Sequence, residues 1–334
     1  MEFTGLIFGV YYSIIQSVTI LILRYISLNN PLITLAIPTY NNEKTIANTI
    51  ESCINQVTDI PYEILIVNNA SKDGTGAVIE RYLDNDKIKV VNKPETVTLY
   101  DNHDACLEHG LGEYIIYCHS DDILEEHAVE TFSKKLKARN YPKKYIVWGH
   151  SMFRDFSQKF IKYAGFSYNE VLVGEYAPLA FLYGGLTPSG TCFSRESFLS
   201  YGGYLPTTNP QAPSDMTSMI LLAMNGFKFE MIDDMLFYRE HASTALSNGL
   251  DAYLGEIDDA YGHFIEHVDK EKIAKLLRLT LSQKHRPYYF YYAIAQAKEH
   301  KKQMRTIVLK SIIKAPWILK EPLTYKLLKR VLIS

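Results

Sequence analysis

The chain has 334 residues, 47% of them hydrophobic and 22% charged, with a formal net charge of −2. That composition excludes a disordered, collagen-like or disulfide-stapled protein, and the length is ample for a large buried core. The charge is uneven, because residues 301–334 hold nine Lys/Arg and one acid while the first 300 residues hold 26 basic and 36 acidic groups; a near-neutral total therefore conceals an acidic body and a basic tail, which points to a membrane or polyanion contact by the tail.

In chain order, Gly5–Leu23 comes first, a run of nineteen residues without charge. As a helix it would rise ~28 Å, close to the thickness of a bilayer core. The start MEFTG carries an acid and no Lys or Arg, which disfavours a cleaved signal, and Arg24 follows the run directly. The positive-inside tendency then places the body in the cytoplasm. The alternative is a hydrophobic helix packed on the body.

From Pro31 the pattern becomes that of an α/β protein. Leu32–Pro38 is a short apolar run that predicts a buried strand, and Glu43–Gln56 has helical spacing through Ile46, Ile50 and Ile54, with Asn41 or Asn42 as its cap. Tyr62–Val67 predicts the next strand, Asn68–Thr75 a polar loop, Gly76–Leu83 a helix and Ile88–Val91 a strand. Tyr100–His109 predicts a helix, and the strand Tyr114–Cys118 runs straight into His119-Ser120-Asp121-Asp122. Strands that alternate with helices imply βαβ units and a parallel sheet, whose ligands bind beyond the carboxyl ends of the strands. Residues 145–240 mix strands (Tyr145–Gly149, Gly190–Ser194, Phe227–Ile232) with helices (Ala177–Leu182, Asp215–Asn225), and beyond about residue 250 the pattern is helical.

The basic tail interleaves Ile307, Leu309, Ile312, Trp317 and Leu319 with its lysines and arginines, as a helix lying in the headgroup plane does; a solvated helix pair is the alternative. The four cysteines, 53, 106, 118 and 192, form no CxxC pair and read as small buried hydrophobes. No GxGxxG follows the first strand and no GxxxxGK[ST] occurs, which disfavours a dinucleotide-binding enzyme and excludes a phosphate-loop NTPase by motif.

The adjacent Asp121 and Asp122 at a strand end suit a hard divalent cation that keeps several waters; equally, they could cap a helix beginning near Ile123. The stretches PLITLAIPTYNNEKTIANTIESCINQ, YEILIVNNASKDGT, LGEYIIYCHSDDIL, GLTPSGTCFSRESFLSYGGY followed by Ser214-Asp215, and YREHASTALS together resemble family 2 glycosyltransferases of the GT-A fold, of the bacterial surface-polysaccharide type. The resemblance covers about residues 31–248. It implies a mostly parallel central sheet flanked by helices; outside it, the residue pattern itself gives a hydrophobic N-terminal helix over 1–30 and a helical region with a basic amphipathic tail over 249–334.

Carried onto this chain, the resemblance implies that Pro38, Thr39 and Tyr40 line a nucleotide pocket with Glu43 beside it, and that Asn68 reads the base. It implies that Asp121 approaches the ribose or metal, that Asp122 binds Mn²⁺ or Mg²⁺, that Asp215 is the general base, and that Arg239 and His241 lie near the diphosphate. For Asp215, first-turn charge on a helix is the plain alternative; for Arg195, a structural ion pair; for the aromatic run Tyr288–Tyr292, packing or an interface rather than a sugar platform.

Two departures from the family pattern stand out. Asn68-Asn69 replace a frequent aspartate pair, and an amide offers both a carbonyl and an NH₂ to a uracil edge, which favours a UDP-sugar over a GDP-sugar. His119 stands where many members carry another aspartate, so the metal would rest on fewer carboxylates. QxxRW, which marks chain-extending synthases of the same superfamily, is absent, favouring transfer of a single sugar. The expected partners are a nucleotide-sugar donor, a lipid-linked glycan acceptor and a membrane surface, with no nucleic acid, at the cytoplasmic face of the plasma (inner) membrane. The competing readings are a catalytically idle nucleotide-sugar-binding relative and a nucleotidyltransferase.

Overall fold

Strand β1 (Ile33–Thr39) is buried at every position, as a strand covered on both faces of a sheet must be. In the computed structural model, which describes residues 31–153, 171–172, 181, 188–205, 214–239 and 313, β1 lies inside a nine-stranded sheet of order β3-β2-β1-β4-β8-β6-β9-β5, with β7 also paired to β9. The other strands are β2 (Tyr62–Asn68), β3 (Ile88–Asn92), β4 (Tyr114–Tyr117), β5 (Asp122–Leu124), β6 (Tyr145–Phe153), β7 (Val171–Leu172), β8 (Thr191–Ser194) and β9 (Lys228–Arg239). The described helices are α1 (Ile46–Ile54), α2 (Thr75–Glu80), α3 (Leu99–His109), α4 (Ala128–Ala138), α5 (Arg195–Ser200) and α6 (Ser214–Met224).

The first four strands are parallel, as the alternation of strands and helices predicts. Beyond β4 the sheet is mixed: β8 runs antiparallel to both β4 and β6, and β9 is parallel to β6 but antiparallel to β5 and β7. Side chains alternate across the sheet with period two. Ile33, Leu35 and Ile37 therefore pack with Ile46 and Ile50 of α1, Val78 and Ile79 of α2, and Phe132 and Leu136 of α4. Ala36, Leu65, Val67 and Tyr117 face the opposite layer, built from Cys106 of α3, Phe198 of α5, and Met219 and Ile220 of α6. All four cysteines are buried and free, in keeping with their reading as small hydrophobes.

Close packing fixes the approach to β4. A Cβ on Gly112 would stand 2.5 Å from the Thr34 backbone nitrogen, so only glycine lets the chain enter the strand there.

The structure differs from the sequence reading after His119. No helix begins near Ile123. Asp122–Leu124 forms β5, antiparallel to β9, and the next helix starts at Ala128. Asp122 is therefore not a helix cap. α1 is likewise shorter at its start than the run from Glu43, and no side chain caps it; the Asn42 carbonyl accepts instead from the Thr45 and Ile46 amides. The hydrophobic run 5–23, the tail 301–334, the helix expected at 177–182 except Phe181, and Tyr288–Tyr292 lie outside the described residues. Among the described residues no helix is long and apolar enough to cross a membrane.

Candidate active site

Parallel register sets the loops after β1 and β2 side by side, with Pro38 opposite Val67 and Thr39 opposite Asn68. Short polar contacts then join them. The Asn41 amide donates to Ser71 Oγ at 3.0 Å, and Asn41 Oδ1 accepts from the Lys72 amide at 2.8 Å. Asn41 sits at φ +55°, a conformation that asparagine tolerates better than most residues. The Asn42 amide donates to Thr75 Oγ1, and Glu43 Oε2 accepts from the Gly74 amide at 2.8 Å. Glu43 thus braces the second loop from the first. Pro38 and Thr39 are buried, whereas Tyr40 is exposed. The Thr39 hydroxyl is buried without a hydrogen-bond partner among the described residues.

Asn68, at the end of β2, donates from Nδ2 to Asn92 Oδ1 at 3.0 Å and accepts at Oδ1 from the Ser71 amide at 3.2 Å. An amide has a second lone pair and a second proton beyond such a pair of bonds. Neighbouring Asn69 makes a two-way contact with the Val97 backbone, which ties the loop after β3 to the same rim.

The loop after β4 carries the charged cluster. Ligand atoms of His119, Asp121 and Asp122 all lie within 4.8 Å of one another, with His119 Nδ1 3.7 Å from Asp122 Oδ2. Asp122 is fully buried, while His119 and Asp121 are half-buried. The backbone here is held from both sides. Thr45 Oγ1 donates to the Ser120 carbonyl and Thr49 Oγ1 to the Asp122 carbonyl, each at 2.8 Å, and Ser120 Oγ donates to Asn42 Oδ1. The His119 amide donates to Ser189 Oγ. One imidazole nitrogen and two carboxylates are donor types that a divalent cation takes, and they stand close enough to converge on one ion, so the residues fit a metal. Arg239 occupies the position opposite Asp122 in the β5–β9 ladder; His241 lies outside the described residues.

Two residues with no motif of their own complete the site. Helix α3 presents Tyr100 and His103, three residues apart and so on one face. The Tyr100 hydroxyl donates to Asp215 Oδ1 at 3.2 Å. His103 contacts the Leu99 carbonyl through Nδ1 at 2.7 Å and His119 Nε2 through Nε2 at 3.0 Å. Burial, and then the proximity of His119, push the His103 imidazole down to about 3, so it is neutral at ordinary pH. Asp215 stands in the first turn of α6, so helix-dipole stabilisation and the contact with Tyr100 coexist. Through α3, Asp215 is linked by a run of side-chain contacts to the cluster at 119–122. Spacing on a predicted helix was the only signal in the sequence for Tyr100 and His103.

Arg195 proves structural. Its Nε donates to the Gly112 carbonyl at 2.7 Å and its Nη1 to the Leu107 carbonyl at 3.0 Å.

Residues 34–195 match the family model for Glycosyl transferase family 2. By this segment, just under half of the chain, the protein is similar to that family. It is 34% identical over 106 residues to the chondroitin synthase of Pasteurella multocida (strain Pm70), covering 31% of this chain and 11% of the synthase. The chain spans between 11% and 33% of the length of the first three curated relatives it matches. Among solved structures, S. aureus TarS 1–349 in complex with UDP-GlcNAc superimposes with a TM-score of 0.61 at 15% identity, over 85% of this chain and 81% of that one. The mannosyltransferase PcManGT from Pyrobaculum calidifontis, in complex with GDP-Man and Mn²⁺, gives 0.55 at 15% identity, over 86% and 88%. These structural likenesses establish the GT-A fold for the chain.

Proposed function

We propose that the chain transfers a single sugar from a UDP-sugar to a hydroxyl of a lipid-linked glycan, with inversion at the anomeric carbon. The observation that carries this reading is the convergence, at the carboxyl ends of the interior strands β1, β2 and β4, of a carboxylate–imidazole cluster, the loops after β1 and β2, and, through α3, the Tyr100-bound carboxylate of Asp215.

Each of these parts has a chemical task in the reaction. Thr39, Tyr40 and Asn68 bind the nucleotide, with the remaining Asn68 valences complementary to uracil N3–H and O4. Asp121 and Asp122 hold a divalent cation, Mn²⁺ or Mg²⁺, which when bound neutralises charge on the diphosphate as a Lewis acid. Asp215 takes the proton of the acceptor hydroxyl as its oxygen attacks the anomeric carbon from the face opposite the leaving group. The bond from that carbon to the phosphate oxygen breaks, the electron pair leaves with UDP, and no covalent enzyme intermediate forms. The Arg239 position beside Asp122 suits a cation near the diphosphate.

The GT-A likeness, the match to a chondroitin synthase and a neighbour in complex with UDP-GlcNAc support the substrate class. The uncharged run 5–23 and the basic tail support an acceptor and a workplace at the cytoplasmic face of the plasma membrane. Thermal-shift titration with UDP, GDP, dTDP and CMP, each with and without Mn²⁺, tests the donor. Stabilisation grows as ln(1 + [L]/Kd), so UDP with Mn²⁺ should give the largest rise in Tm. A larger response to GDP would refute the assignment of Asn68.

A further inference from the structure

The cation reading leaves the imidazole in the cluster unexplained, and the geometry behind it is specific. His103 is buried among the rings of Tyr100, Tyr117 and Tyr204, with centroids 5.8, 5.2 and 5.7 Å away. Its Nδ1 faces the Leu99 carbonyl, which can only accept, so Nδ1 carries the proton and Nε2 presents a lone pair. That lone pair lies 3.0 Å from Nε2 of His119, whose ring stands edge-on at 89°. His119 must therefore donate from Nε2. Its other nitrogen, Nδ1, is the one beside the carboxylates, 3.7 Å from Asp122 Oδ2.

We propose that His119 ligates the divalent cation through Nδ1 and that His103 is the positioning residue that fixes its tautomer and ring orientation, giving the site a mixed nitrogen and oxygen donor set. This rests on the cation reading above and deepens it. Ligating histidines commonly donate their other N–H to a fixed acceptor, and losing that acceptor weakens metal binding by about 10–100-fold. Here the acceptor is a second imidazole on α3. A nitrogen donor favours first-row transition ions over magnesium, and among them affinity rises from Mn²⁺ to Co²⁺. The site should accordingly bind Co²⁺ more tightly than Mn²⁺, and Mn²⁺ more tightly than Mg²⁺.

The test is pulsed EPR of Mn²⁺ bound to the full chain with UDP present, together with Mn²⁺, Co²⁺ and Mg²⁺ affinities by titration. The wild type should show ¹⁴N coupling from a directly bound imidazole. His119→Asp should still bind Mn²⁺, lose the coupling and shift its preference at least tenfold toward Mg²⁺. His103→Phe should weaken Mn²⁺ binding by about 10–100-fold. His103→Gln, whose carbonyl can still accept from His119, should recover most of that loss and carries the test if the Phe variant does not fold. Bound Mn²⁺ without ¹⁴N coupling would overturn the ligand role of His119 and leave the cation reading standing. Unchanged affinity in both His103 variants would overturn the positioning role, and no Mn²⁺ binding at all would overturn both the proposal and the cation reading.

Discussion

A carboxylate acts as a base only when it is held where the proton leaves, and Asp215 is held by the Tyr100 hydroxyl at 3.2 Å. Replacing Asp215 with Asn removes the proton acceptor but keeps the shape. Transfer should then fall by about 10²–10⁴-fold, with nucleotide-dependent thermal stabilisation intact. Substantial transfer by Asp215→Asn would remove it from the mechanism. Tyr100→Phe is the milder probe: losing one hydrogen bond to an ionised group costs about 1.5–3 kcal/mol, so if that bond orients the base, kcat should fall at least tenfold. KM for the nucleotide sugar should stay close to wild type if the bond from Tyr100 to Asp215, the proposed base, is what the substitution removes. A change in KM with kcat preserved would mean that Tyr100 serves the donor side instead.

Among the elements, β9 shows how a single buried charge ties a strand to a helix. Glu230 is fully buried and accepts from Lys135 Nζ, Arg139 Nε and Nη2, and the Tyr145 hydroxyl. Burial alone would raise its carboxyl above the ordinary 4.5, but the bonds from Arg139, Tyr145 and Lys135 outweigh that and hold it at about 2. A depressed folded pKa contributes stability that is complete above about 4.5 and lost as pH falls toward 2. The difference corresponds to about 3 kcal/mol. Denaturant unfolding at pH 7, 4 and 3 should show Glu230→Gln less stable at pH 7 and less sensitive to acid than the wild type; equal acid slopes would deny the ion-pair network this role. Nothing in the sequence announced this network, since an acid inside a strand-like run shows its partners only once α4 packs against β9. The same reason hid β5. Three residues, Asp122-Ile123-Leu124, carry too little pattern to declare a strand, and their conformation is set by pairing with β9 more than a hundred residues later. By contrast β1, β2 and β4 were legible because uninterrupted apolar runs bounded by turn residues leave little choice in a sheet covered on both faces. The candidate site divides in the same way: Asp121, Asp122 and Asp215 stand out as candidates by motif order, whereas Tyr100 and His103 join them through contacts that only the docking of α3 creates.

For the whole molecule, the charge balance is what the proposed membrane contact rests on. The first 300 residues carry an excess of ten acids, including the proposed cation ligands and base, while residues 301–334 carry an excess of eight basic groups. An acidic body is repelled by an anionic leaflet, so a tail of opposite sign is a physical means of holding it at that surface. Each Lys or Arg near an anionic leaflet contributes about 1 kcal/mol, and the attraction decays over a Debye length of about 8 Å at physiological salt. The uncharged run 5–23 would bind through apolar area instead and be indifferent to lipid charge and salt. Flotation of the full chain with anionic and with zwitterionic vesicles, at about 0.05 and 0.5 M salt, separates the two contributions, since these concentrations bracket physiological screening. The full chain should prefer anionic vesicles at low salt and lose that preference at high salt. Deleting 301–334 should abolish the preference while leaving any salt-insensitive binding in place. A truncated chain that still favours anionic vesicles would show that the basic tail is only a solvated segment, and surface recruitment would then have to come from elsewhere in the body.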